Sequence, residues 1–432
     1  MAWHLVLLFI VVRASLDGFK SGTAGHTSAL DPASLVGVGF IVFAGLWLIA
    51  RAGRGDPPAS LVTKLLLVLV AWSVCSAALS QFPFQSAVSS SKLLAGVLMF
   101  AMLEKMLPGR PERAKQLLGA VVLSAVVPAI VGLHQAISGT GNSSETTGFD
   151  RIYATMVNPV SFANYLLIVL LVCVALAAQG THRTRYVVLS FLMGLLIFWT
   201  YTRSAWLVGV VGILLVLFRL NKWLLVPAVF VVIVLPLTSH TVAQRFADLN
   251  NKATDNPYVQ GAAVNSLEWR FGYWGQVVHL SKHTRITGVG LDNVQRITDL
   301  GLEPHNVVIQ SYVELGIVGC ALFLLTVAAF GRQLLRRRRA ARTELERLTA
   351  SLALAVGVCV FVEALVTNPL TSTLLWWYIA AAMTWGFTES VAEPEETGAD
   401  AELSERPLVA PYSTGGRFRR AGLVDQAQRR VG

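Results

Sequence analysis

Three arginines and one histidine stand at positions in this sequence where charge is costly, and their types suit anion capture and proton transfer. Arg203 lies in Tyr201-Thr202-Arg203-Ser204-Ala205-Trp206, between two apolar runs that leave almost no room for a turn. An arginine at that depth marks a functional group by default, or else an interfacial anchor whose stem runs along apolar surface beside Trp206. Arg270 falls in Leu267-Glu268-Trp269-Arg270-Phe271-Gly272-Tyr273-Trp274, and Arg151 opens a segment that ends in Asn158-Pro159. Forked guanidinium donors suit phosphate, so three of them on one side would grip a shared anion. His305 follows Pro304, and Asn306, Gln310 and Glu314 follow it at i, i+4 and i+8. That spacing places three polar groups on one helical face, which must look at protein or water and not at lipid. The stripe either knits helices together or lines a site with a proton-transferring histidine at its mouth. Gly316 and Gly319, further along, would let a neighbouring helix approach closely.

The elements that hold these residues follow from composition. The 432 residues are 54% hydrophobic and 14% charged, against roughly 25% charged in soluble domains. A soluble chain of this length has too little interior for so much apolar surface, so the class is an all-α, polytopic membrane protein. Apolar runs predict helices over 35–50, 61–80, 87–106, 115–137, 160–179, 185–201, 204–220, 223–238, 306–330, 349–367 and 372–390. The short segment 2–16 lacks the leader and cleavage pattern of a signal peptide and brings the expected spans to about twelve. Basic residues Arg51, Arg54, Lys105, Arg110, Arg113, Lys115, Arg183, Arg185, Arg219, Lys222 and the Arg332–Arg347 run crowd one set of alternate connections. Arg13, Lys20, Lys92, Arg151 and Arg203 are sparse on the other. The rich side is expected to be cytoplasmic, with both termini there. The division is then membrane helices over 1–238, a large outer loop over 239–304, membrane helices over 305–390 and a disordered cytoplasmic tail over 391–432. In that loop, apolar positions 267, 271, 274 and 278 predict an amphipathic helix lying on the membrane. Cys75, Cys173, Cys320 and Cys359 all sit in apolar runs and read as packing residues. His279 and His283 have a spacing that can bind metal, but no acidic partner is fixed near them, and no metal is expected. Gly288-Val289-Gly290 lacks the completion of a phosphate loop and reads as a turn.

His305-Asn306, nine residues, then Gly316-Ile317-Val318-Gly319 resembles the His-Asn-x9-Gly-x-x-Gly signature of the bacterial O-antigen ligase and O-antigen polymerase superfamily. Gly288-Val289-Gly290-Leu291-Asp292-Asn293 resembles the glycine turn that precedes this histidine. Thr202-Arg203-Ser204, Arg270 with Trp274, and the Arg151 segment resemble the family's arginine motifs. Ala154 stands where the family usually has glycine, and Asp292 falls inside the usually glycine-rich turn. The likeness covers roughly 150–330 and the topology with its late outer loop. It implies a GT-C-like membrane glycosyltransferase that takes a glycan from undecaprenyl diphosphate to an acceptor hydroxyl outside the bacterial cytoplasmic membrane. The transfer would be inverting, without a cofactor.

On that resemblance, Arg203 and Arg270, with Arg151 as a third, would grip the diphosphate and stabilise its charge as it leaves. His305 would activate or orient the acceptor hydroxyl. Asn306, Gln310 and Glu314 would hold the histidine region, and Trp269, Tyr273 and Trp274 would stack on sugar or form an interfacial belt. The acceptor stays open among lipid A–core, a lipid-linked repeat unit (a polymerase) and protein (an O-oligosaccharyltransferase). Nucleic acid is not an expected partner, because the basic residues border apolar spans. A secondary transporter or flippase is a different class with the same span number. It predicts internal repeats and charges deep in the bilayer, whereas these cations cluster at the outer boundary and no repeat is visible.

Overall fold

The computed structural model describes residues 1–17, 32–52, 58–143, 150–156, 158–178, 182–220, 223 and 266–384. The helices among them are α1 (Ala2–Leu16), α2 (Pro32–Arg51), α3 (Leu61–Ala78), α4 (Pro83–Met106), α5 (Pro111–Ser124), α6 (Val126–Ser138) and α7 (Pro159–Ala178). They continue with α8 (Arg183–Trp199), α9 (Arg203–Leu220), α10 (Ser266–Leu280), α11 (Val307–Ala340), α12 (Glu344–Ala364) and α13 (Thr373–Thr384). A two-residue hairpin, β1 (Asn142–Ser143) on β2 (Asp150–Arg151), is antiparallel. Among the described residues, α2, α3, α4, the α5–α6 pair, α7, α11 and α12 are long and apolar enough to cross a bilayer, and α1, α9 and α13 are shorter apolar helices. The chain is therefore an all-α polytopic membrane protein. Apart from Trp223, the expected span 223–238 lies outside the described residues, as do loop residues 239–265 and the tail 391–432.

Local sequence explains several boundaries. The run read as one helix over 115–137 is two, because Pro128 has no N–H and its ring crowds the carbonyl of Ser124, where α5 ends. Pro83 and Pro111 sit in the first turns of α4 and α5, where a missing N–H costs nothing. Thr343 and Glu346 form a capping box that starts α12. The expected helix at 306–330 continues to Ala340, carrying its basic run into the last turn, where cations suit the helix dipole.

The core is built around α7, buried along nearly its whole length between α8, α9, α12 and α13. The first helix is 15 residues long, about 22 Å at 1.5 Å per residue, which is short of a roughly 30 Å hydrocarbon core. It is tied in all the same. Phe9 packs edge-on to Phe40 of α2 and Trp377 of α13, Tyr378 Oη donates to Ile10 O at 2.6 Å, and Thr155 Oγ1 donates to Ala14 O at 2.7 Å. Arg13, read from sequence as a boundary cation, is instead a buried partner of Asp17 at 2.6 Å.

One feature of α11 positions everything that follows. The helix breaks at Gly316, whose φ of 70° and ψ of −174° belong to a region essentially reserved for glycine. A break inside an apolar helix frees backbone groups that lipid cannot satisfy. Here Val289 N–H donates to Val313 O at 3.0 Å, Gly290 N–H to Glu314 O at 2.9 Å, and Ile317 N–H to Arg285 O at 2.8 Å. From α3, Trp72 Nε1 donates to Leu315 O at 2.7 Å and Ser76 Oγ to Glu314 O at 3.2 Å. The sequence reading, in which Gly316 admits a neighbouring helix, is therefore corrected. What it admits is the backbone of the glycine turn 286–290. Trp72→Phe keeps an aromatic ring in a smaller form and removes one of these donors, so it should lower stability by about 1–3 kcal/mol from the unpaired carbonyl alone. Thermal unfolding in detergent checks this, and an unchanged midpoint would rule the bond out as a support.

Candidate functional site

The site is assembled from four connections at one end of α7, α9, α11 and α12. The hairpin end comes first. Gln135 Oε1, on α6, accepts from Tyr153 N–H at 3.0 Å and Ala154 N–H at 2.7 Å. Ile152 N–H donates to Trp199 O, while Arg151 donates from Nε to Thr200 O at 2.8 Å and from Nη2 to Thr202 Oγ1 at 3.2 Å. Arg151 thus clamps the α8–α9 turn, and in this structure two of its nitrogens hold protein. Ala154 and Asp292, the two departures from glycine, have φ of 51° and 67°. The glycine preference there is a preference for left-handed backbone. Asp292 is held by Ser89 Oγ at 2.9 Å and Gln295 Nε2 at 3.2 Å.

The clamped turn carries Arg203, half-buried, as the first residue of α9. Its neighbour Ser204 donates from Oγ to Glu363 Oε1 at 2.7 Å. Trp206 stacks on Phe198 and donates to Ile197 O, so the interfacial ring belongs to the packing of the α8 end. Glu363, near the C-terminus of α12, is 3% exposed, and its Oε2 has no hydrogen-bond partner among the described residues.

Arg270 comes from α10. That helix buries Tyr273 and Val277 against Val294 and Val313 and leaves Phe271 and Val278 exposed. The segment is helical, its packed face is centred on 273 and 277, and Phe271 and Val278 of the predicted stripe are exposed. Burial lowers the affinity of Arg270 for its proton and the nearby Glu363 carboxylate opposes that shift. Guanidinium stays a cation regardless.

His305 closes the set. Trp274 Nε1 donates to Pro304 O at 2.6 Å just before it, and Asn306 Oδ1 accepts from Val308 and Ile309 N–H just after it. Between these two anchors His305 takes a φ of 49°, a left-handed conformation that costs an L-residue about 1–2 kcal/mol. Asn368, in the α12–α13 connection, places Nδ2 2.6 Å from Glu303 Oε2 and 3.4 Å from His305 Nδ1. Burial pushes the imidazole below its ordinary value and the Arg270 charge pushes the same way, so His305 is neutral around neutral pH. Burial holds the Glu303 carboxyl above the usual carboxylate range, opposed by the amide of Asn368.

The structure therefore brings His305, Arg270 and the Arg203 turn together around Glu363 and Asn368, with Arg151 behind that turn. It separates other expected residues from any ligand. Asn306 is a helix cap. Tyr273 is 3% exposed, stacked face to face on Trp269 at 5.4 Å, with its hydroxyl donating to Leu302 O. It is packing and cannot stack on sugar, and Trp274 anchors the histidine loop. Gln310 and Glu314 do share the inward face of α11 and are fully buried. Glu314 Oε1 accepts from Val294 N–H at 3.5 Å, while neither amide atom of Gln310 has a partner. Sequence reasoning missed Glu363, Asn368, Glu303, Ser204 and Gln135. For Glu363 a signal existed, as a lone carboxylate in the apolar run 349–367.

His279 and His283 are exposed on the surface of α10 and the turn after it, and no group of three potential metal ligands occurs among the described residues. No curated protein matches the chain. A family model does, over residues 188–324, which hold Arg203, Arg270, the glycine turn, His305 and the Gly316 break. That model describes O-antigen ligase, and the segment that carries Arg203, Arg270 and His305 is similar to it.

Proposed function

We propose that the protein is a membrane glycosyltransferase that moves a glycan from undecaprenyl diphosphate to an acceptor hydroxyl on the outer face of the bacterial cytoplasmic membrane. The observation that carries this reading is the convergence of Arg270 and the Arg203 turn with a neutral, half-buried His305. Cations that meet at a dry boundary stabilise charge as it develops on a leaving diphosphate. His305 is placed to exchange a hydrogen bond with the reacting oxygens. A second feature suits a lipid-linked donor. A cavity of about 280 Å³ between α3, α4, α11, α12 and α13 is lined by Val307, Phe330, Ala364, Pro369, Leu370 and Trp376. Val307, Ala364 and Pro369 are the chain neighbours of Asn306, Glu363 and Asn368, so apolar space begins where the polar site ends. The acceptor is a lipid A–core sugar in the ligase reading, and a lipid-linked repeat or a protein in the alternatives. Purified protein given lipid-linked glycan and each acceptor in turn tests this. Release of undecaprenyl diphosphate with glycan on one acceptor supports the reading, while movement of lipid across a liposome without transfer would replace it with the transporter class.

The His305 environment also fixes a pH dependence. Its folded pKa lies below the unfolded value of about 6.5. The unfolded chain therefore binds more protons in that window, and stability is full above it and falls as pH drops through the folded value. Transfer should fall over the same acid range, because an imidazolium would stand beside Arg270. Thermal unfolding of wild type should weaken more steeply with acid than that of His305→Gln, and parallel curves would refute the assignment.

A further inference from the structure

Asn368 touches both a carboxylate and the histidine, and the chemistry of the first decides the second. The amide turns its nitrogen to Glu303 and donates to Oε2 at 2.6 Å, a bond that the carboxylate oxygen accepts. The same nitrogen is the atom 3.4 Å from His305 Nδ1. A donor facing Nδ1 makes that ring nitrogen an acceptor, and in a neutral imidazole the proton is then on Nε2. Among the described residues the buried amide oxygen of Asn368 has no hydrogen-bond partner that would set its orientation against these contacts. The backbone on either side of the ring is held by the Trp274–Pro304 bond and the Asn306 cap.

We propose that Asn368, oriented by Glu303, is a positioning residue that fixes the proton of His305 on Nε2, so that the histidine donates a hydrogen bond to the departing diphosphate and is not the base for the acceptor hydroxyl. The inference rests on the transfer reaction above. In that step a lone pair of the acceptor oxygen forms the bond to the anomeric carbon. The bond from that carbon to the phosphate oxygen breaks, and its electron pair leaves on the diphosphate. Nε2–H and the Arg270 guanidinium bind the charge that develops there. The hydroxyl proton passes to solvent water on the acceptor face, opposite the leaving group as inversion requires, so the atoms balance without a protein base. Neither Asn368 nor its neighbour Glu363 lies within the 188–324 match.

The test uses full-length protein in nanodiscs with nitrogen-15 histidine at about pH 8, where a ring of ordinary pKa near 6.5 is neutral, and His305 is assigned by its loss in His305→Gln. Wild type should carry the proton on Nε2. Asn368→Leu removes the donor without adding a second carboxylate beside Glu303 and should let the ring populate both tautomers. In the transfer assay, His305→Gln should stay within roughly tenfold of wild type, because its amide nitrogen stands in for Nε2–H, while His305→Ala should lose roughly 10²–10³-fold. An Nδ1-protonated ring in wild type overturns the proposal, as does a ring as fully Nε2-protonated in Asn368→Leu as in wild type, or a His305→Gln enzyme as slow as His305→Ala. Absence of transfer in wild type, with the nitrogen signals as expected, would instead fault the reaction and leave the positioning role standing.

Discussion

Arg270→Ala should lower glycan transfer by roughly 10²–10³-fold, the usual effect of removing one preorganised donor from a charge-stabilising site. The size follows from where the guanidinium sits. It is carried on α10 but reaches the end of α12, close enough to Glu363 and His305 for each charge to be felt by the other. Its surroundings are dry enough to lower its own pKa, and in such a place a fixed cation is worth far more than in water. The same change leaves the buried carboxylate of Glu363 without its opposing charge, so some loss of stability is expected as well. Arg270→Lys separates the two effects. It keeps a cation near Glu363 and should fold like wild type, yet it lacks the planar fork that grips two phosphate oxygens and should recover only part of the rate. The readout is kcat/KM with lipid-linked donor on samples matched for monodispersity. Transfer by Arg270→Ala within threefold of wild type would remove this arginine from the mechanism.

Residue type made the cationic half of this site readable and left its counterpart hidden. Arg203, Arg270 and His305 stood out because each is misplaced in an apolar sequence, and misplacement is a local property. Their partners are remote in the chain. Ser204 meets Glu363 across 159 positions and Asn368 meets His305 across 63, and no periodicity within one helix encodes such a pairing. Arg151 shows a different limit. Sequence offers it as a third cation but cannot say that its Nε and Nη2 bind the α8–α9 turn. The aromatic residues failed for a further reason. Tyr273 and Trp274 look alike to a reading based on interfacial belts, and only packing shows that one is sealed under Trp269 and the other tethers Pro304. The helical class and most boundaries were legible because apolar runs of bilayer length have few alternatives. The break in α11 was not, since glycine in a membrane helix more often marks close helix packing.

That break sets the largest structural effect expected of any single methyl group. Gly316→Ala would place a Cβ on the carbonyl oxygen of Ile286, and Gly288→Ala would place one on the carbonyl of Glu314, at a φ of 70° and 74° respectively. Neither obstacle is a side chain that can swing aside. Both are backbone, and each is part of the bonded contact between the glycine turn and the opened helix. Separating the two strands of chain far enough for a methyl would strain or break the Val289–Val313, Gly290–Glu314 and Ile317–Arg285 bonds together. Each buried group left unpaired costs about 1–3 kcal/mol, and the backbone conformation adds about 1–3 kcal/mol more for a residue with a Cβ. Several kcal/mol is a large share of the 5–15 kcal/mol that typically holds a domain together, so little folded protein is expected from either substitution. Gly331 provides the internal standard. It lies on the same helix with nothing within 4 Å of a built Cβ, and Gly331→Ala should be neutral or stabilise by up to about 1 kcal/mol through helix propensity. Folded yield by size-exclusion chromatography of the three variants decides the matter. A Gly316→Ala protein as monodisperse as Gly331→Ala would mean that the turn and the helix do not meet as described, and that His305, which both elements flank, is held by something else.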